Sequence, residues 1–97
     1  MKIQLDKFHK YITIVEAFAW WVTYCENDID KFAEVCINQL KKAHEKIPQV
    51  REQIDELIQL IETYVSLPTE SKDYACELLD TIDMKFKYLL YTSAKVL

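Results

Sequence analysis

The chain has 97 residues, of which 51% are apolar and 29% charged, with no glycine, two prolines and a formal net charge of −4. That length makes one domain, able to bury a core without staples, and that apolar fraction excludes a disordered chain. The acidic balance and the predominance of lysine over the single Arg51 count against a nucleic-acid binder. The lack of glycine excludes glycine-rich phosphate loops and the tight positive-φ hairpins of a β-protein.

The first predicted helix runs from about Gln4 to Cys25. Ile3, Leu5, Phe8, Tyr11, Ile12, Ile14, Val15, Phe18, Ala19, Trp21, Val22 and Cys25 cover about 200° of a helical wheel, whereas a bundle helix needs an apolar arc of roughly 100–140°. Trp20 and Tyr24 fall outside even that arc, on the side of Asp6 and Thr13. Large aromatics bury much area at little rotamer entropy, so Trp20, Tyr24 and the adjacent Trp21 are expected to anchor an interface with another molecule. The bland reading of Trp21 is a core residue.

Glu26-Asn27-Asp28 breaks this helix and offers Asn27 or Asp28 as a cap for a second one, residues 29–46. Its narrow apolar face is Ile29, Phe32, Ala33, Cys36, Leu40, Ala43 and Ile47. Pro48 opens a third helix, 48–66, at a position where no hydrogen bond is lost. Val50, Ile54, Leu57, Ile58, Ile61, Tyr64 and Val65 form its core face, and Glu52, Asp55, Glu56 and Glu62 an acidic face. That face would fit a basic partner, but four acids on one helix is not extreme, and an ordinary solvated surface is the stronger reading. Ser66-Leu67-Pro68-Thr69 ends the helix, and Thr69 or Ser71 can cap a fourth, 70–94. Ala75, Leu78, Leu79, Ile82, Phe86, Leu89 and Leu90 face its core, while Met84, Tyr88 and Tyr91 recur at i, i+4 and i+7 on the opposite side. This second apolar stripe reads as a groove or dimer contact. Acids come early in the fourth helix and lysines late, as the helix dipole favours. Short connections between the four segments predict an all-α, single-domain, antiparallel up-down four-helix bundle.

Chemistry is sparsely signalled. Glu26, Asp28 and Asp30 alternate like the start of a calcium loop, but the glycine is missing and Ile37 stands at the twelfth position. Asp6 and His9 would be half of a di-iron pair with no second half. No serine or cysteine stands in a nucleophile motif. Neither a metal, a cofactor nor an enzymatic activity is therefore expected. Lys41, Lys42, His44, Lys46 and Arg51 cluster near the end of the second helix, where cations complement the helix dipole. Cys25, Cys36 and Cys76 are odd in number, form no CxxC and follow no apolar leader, which fits reduced core thiols in a cytoplasmic protein.

These features point to a small cytoplasmic protein–protein interaction module acting as a homodimer. The lysine- and isoleucine-rich composition fits an AT-rich genome, and by analogy an accessory or inhibitor protein of a virus or mobile element. The alternatives are an oligomeric bundle holding a small ligand such as a nucleotide, and a structural subunit of a larger complex. No membrane association is expected.

Overall fold

The chain ends its first helix without glycine, and an aspartate takes the strained position. The computed structural model describes residues 2–97, with side chains described from residue 7 onward. The expected apolar positions Ile3 and Leu5, and the carboxylate of Asp6, lie outside the described side chains. Helix α1 spans Lys2–Asn27, α2 Asp30–Lys46, α3 Arg51–Ser66, α4 Thr69–Lys72 and α5 Cys76–Val96, with a 3-10 turn at Pro48–Val50. No strand occurs among the described residues, so the fold is all-α.

Asp28 adopts φ 52°, a left-handed conformation that aspartate tolerates better than most residues, and its N–H bonds the Tyr24 carbonyl at 2.7 Å. The residue thus closes α1 and does not open α2, contrary to the expected cap. The Asn27 amide is likewise turned back, donating to the Thr23 carbonyl at 2.8 Å. Helix α2 starts after the extended Ile29 without a side-chain cap. Pro48 occupies the first position of the 3-10 turn that leads into α3, as its missing N–H favours.

The single helix expected over 70–94 is two. Pro68, and neither Thr69 nor Ser71, precedes α4, which lasts four residues. The Tyr74 and Ala75 N–H groups bond the Ser71 and Lys72 carbonyls, at 3.1 and 3.2 Å, so the turn tightens before α5 begins. The break coincides with a long-range contact: Lys72 reaches across to the end of α1.

Helix α1 packs along α2, α2 against α3, α3 against α5, and α5 returns to α1, in a molecule 49 × 20 × 17 Å. Between them lie Ile14, Ala17 and Trp21 of α1, Ala33, Cys36, Leu40 and Ala43 of α2, Ile54, Leu57 and Ile61 of α3, and Ile82, Phe86 and Leu89 of α5. The 3.6-residue spacing of each set explains why these segments are helical and which side faces in.

The orientation of α1 overturns one expectation. Trp21 and Tyr24 are 2% and 1% exposed, within the core of their own chain, so neither ring is free for a partner. Trp20 is half-buried, its ring 5.6 Å from that of Phe32 on α2. The misleading residue is Thr13, whose polarity marks that side as outward. In the structure Thr13 is itself buried, because its hydroxyl donates to the His9 carbonyl at 3.1 Å and needs no water. The surplus apolar surface of α1 instead lies at Phe8, Val15 and Val22, which are exposed.

Trp21 touches the rings of Tyr24, Tyr64 and Phe86. Replacing it by alanine is expected to cost about 3–5 kcal/mol of unfolding free energy, the range for a core aromatic. Trp20→Ala should cost about half as much. Urea denaturation of the two variants checks the order; equal losses would contradict the burial difference.

Candidate interaction site

Turning α5 so that Ile82, Phe86, Leu89 and Ser93 face inward leaves the residues about 180° away to face water. Met84, Tyr88 and Tyr91 occupy that outer face and are 69%, 60% and 58% exposed. They form one continuous row at spacings of four and three. A shallow depression of about 330 Å³ lies along it, lined by Thr81, Met84, Lys85 and Tyr88. The Lys95 ammonium stands 4.6 Å above the Tyr91 ring and so stays on this face. On the flank toward α3, Lys85 pairs with Glu56; on the other flank, Lys87 pairs with Asp83 at 2.8 Å. These charges border an apolar row and do not interrupt it.

The six aromatic and apolar residues expected at interfaces, three in α1 and three in α5, are therefore divided. Met84, Tyr88 and Tyr91 share a surface; Trp21 and Tyr24 lie inside the protein, and Trp20 lies on the α1–α2 side. The acidic face of α3 is exposed at Glu52, Asp55, Glu56 and Glu62. Two of its carboxylates have partners within the chain: Glu56 holds Lys85, and Asp55 lies 3.2 Å from His44 Nε2.

The basic cluster has a structural use. Arg51 Nε donates to the His44 carbonyl at 2.9 Å, satisfying an acceptor in the last turn of α2. Lys41, His44, Glu45, Asp55 and Ile58 line an open recess of about 380 Å³ beside it. Among the described residues, no group of three or more His, Cys, Asp or Glu is placed to hold a metal ion. No helix among them is long and apolar enough to cross a membrane.

One site is absent from the sequence reading. Lys72 Nζ donates to the Tyr24 hydroxyl at 2.9 Å, lies 3.4 Å from Asp28 Oδ1, and sits 5.6 Å from the centroids of both Tyr24 and Tyr64. This clamp fastens α4 to the ends of α1 and α3. The hydrogen bond to Tyr24, together with the nearby carboxylate of Asp28, holds Lys72 above the ordinary lysine value. Burial does the same to Tyr64. A contact 48 residues apart in sequence leaves no local pattern; the only available signal is the unusual pairing of tyrosines at two helix ends.

All three cysteines are free. Only Cys36 is a core residue as expected, and burial pushes its thiol up from 9.0 to about 12. Cys25 and Cys76 are exposed and line, with Tyr24, Asp28, Tyr64 and Lys72, a recess of about 330 Å³. Partial burial, then the carboxylates of Asp83 and Glu26, raises the Cys25 thiol to about 11.

No family model matches this chain, and no curated protein or solved structure is significantly similar to it.

Two outcomes are expected. Lys72→Met, which keeps the length of the side chain and removes its charge, should lower stability by about 1–2 kcal/mol, the sum of a cation–π contact and a hydrogen bond; a melting curve unchanged from wild type would show the clamp to be idle. Cys36, Tyr64 and Lys72 all bind their protons more tightly in the folded chain. The unfolded chain releases protons first, so stability falls as pH rises. For Cys36 the loss spans pH 9.0 to about 12. Denaturation midpoints should decline across this window, and less steeply in Cys36→Ala.

Proposed function

We propose that this chain is a small protein–protein interaction module and that it docks a partner on the outward face of α5. The observation that carries the reading is the row Met84, Tyr88 and Tyr91, three large side chains more than half exposed on one face of one helix. Leaving such a row in water is unfavourable, and contiguous apolar patches on small proteins mark association sites. Tyrosine and methionine suit this use: tyrosine offers a broad ring with few rotamers, and methionine adapts its shape to the surface it meets.

The reading takes the four long helices as an antiparallel up-down bundle, a scaffold that holds α5 rigid from behind. The short connections and the closed circuit of packed neighbours support that topology. Three free thiols fit a reducing compartment such as the cytoplasm. The module needs no reaction of its own, because occupying a partner's surface suffices for an accessory or inhibitory role.

The deciding variant is Met84→Asp combined with Tyr88→Asp. Both positions are exposed, so the far-UV dichroism and melting temperature should stay close to wild type. Affinity for whatever protein the wild-type chain holds should fall by about a thousandfold, as expected when two interface anchors of about 2 kcal/mol each are lost. The comparison is quantitative capture from cells by the two chains side by side. Identical sets of retained proteins at identical strength would refute docking on this face.

A further inference from the structure

The outward face of α5 carries more than an apolar row. Continuing the same alternation in both directions adds Thr81 and Glu77 before Met84, and Lys95 after Tyr91. The series Glu77, Thr81, Met84, Tyr88, Tyr91, Lys95 is spaced four, three, four, three and four residues apart. This is the heptad alternation of a helix-pairing seam. Its spacing reads the same from either end, with the midpoint at the level of residue 86.

The two termini of the series carry opposite charge and lie unpaired. Among the described residues, neither Glu77 nor Lys95 has an ion-pair partner in its own chain; Lys95 touches only the ring of Tyr91 at 4.6 Å. Both are exposed. If two such helices lie side by side in opposite directions, Met84 of each faces Tyr88 of the other, Thr81 faces Tyr91, and Glu77 faces Lys95. A parallel arrangement would set Glu77 against Glu77 and Lys95 against Lys95, and like charges oppose pairing.

We propose that the occupant of this face is a second copy of the chain, its α5 running antiparallel to the first across a twofold axis at the level of residue 86. The proposal rests on the reading of the outward face of α5 as a docking surface and names its partner. The seam extends over about 27 Å at 1.5 Å per residue, with the helix axes 8–10 Å apart as in other packed pairs. Charge complementarity at both ends fixes direction and register. Each Glu77–Lys95 pair occurs twice by symmetry, which is the defining property of an isologous contact. Lys87 lies close to the axis, where it would meet its own copy, but Asp83 already neutralises it at 2.8 Å. Burying a single helix face on each side gives an interface at the small end of the specific range, so the dimer dissociates on dilution in the micromolar range.

Sedimentation equilibrium at low and moderate salt on four chains tests the proposal: wild type, Glu77→Lys, Lys95→Glu and the double exchange. Wild type should dimerise. Each single reversal should weaken the dimer by about tenfold, since it turns two exposed pairs into two repulsions. The double exchange should return the dissociation constant to within about threefold of wild type. Both reversals also oppose the dipole of α5. Those costs accumulate in the double variant, so recovery there cannot come from helix stability. Single reversals without effect, a double exchange no better than the singles, or a wild-type chain that stays monomeric up to about 1 mM would overturn the antiparallel pairing. The docking reading fails separately, by the insensitivity of captured proteins to Met84→Asp with Tyr88→Asp.

Discussion

Trp21 stands where three helices meet, and the rest of the molecule is arranged around it. Its indole lies 5.8 Å from Tyr64 of α3 in an edge-on contact, 6.5 Å from Phe86 of α5 in a stacked one, and 5.5 Å from Tyr24 one turn along its own helix. Offset and edge-on rings each add a directional term to the burial of area. They therefore constrain the rotation of α1, which apolar burial alone leaves loose. Once α1 is rotated to seat Trp21, Tyr24 must point inward, and its hydroxyl would be an unsatisfied polar group near the core. Lys72 removes that cost by donating to the hydroxyl at 2.9 Å. The short α4 carries that lysine past the end of α1, and the chain turns again before α5. With α4 so placed, α5 begins at Cys76 and lays Phe86 against Trp21 and Phe18.

The helices were legible because their apolar spacing is regular. In α2, Ala33, Cys36, Leu40 and Ala43 read correctly as one face, and in α3 so did Ile54, Leu57 and Ile61. Segment ends read less well, since they depend on which group finds a partner at a distance. Asp28 looks like a helix opener, but it closes α1 in a left-handed conformation and spends its carboxylate on Lys72. Ile29 reads as the first core position of α2 and is exposed. The rotation of α1 departs furthest from the pattern of its sequence. Apolar residues occur nearly all round it, so the wheel has no sharp minimum, and two polar markers decided the question. One of them, Thr13, hides its hydroxyl against its own backbone and carries no information about where water is.

The outward row of α5 was readable for the opposite reason. Its inner face, Ile82, Phe86 and Leu89, is unambiguous and fully buried, so residues half a turn away can only face out. A strongly specified core thus makes an outward apolar row visible, while the diffuse apolar surface of α1 conceals which residues are spare. Phe8, Val15 and Val22 show this: their seven-residue spacing becomes meaningful only after the structure places them outside the core.

The charges at the ends of α5 serve the folded chain before they serve any partner. Glu77 lies in the first turn and Lys95 in the last, where each complements the partial charge of the helix terminus. The dipole of an α-helix favours this polarity, acid first and base last, and α5 follows it at both ends. Two such helices in opposite directions consequently present acid to base at both ends, without any residue being placed for that purpose. What α5 adds is alignment: Glu77 and Lys95 fall on the same seam as the three exposed apolar side chains, and the spacing between them is symmetric. A helix optimised for its own dipole is, in that alignment, already complementary to its own reverse. Among the described residues, Glu77 and Lys95 have no ion-pair partner in their own chain, and each would find one in a reversed copy.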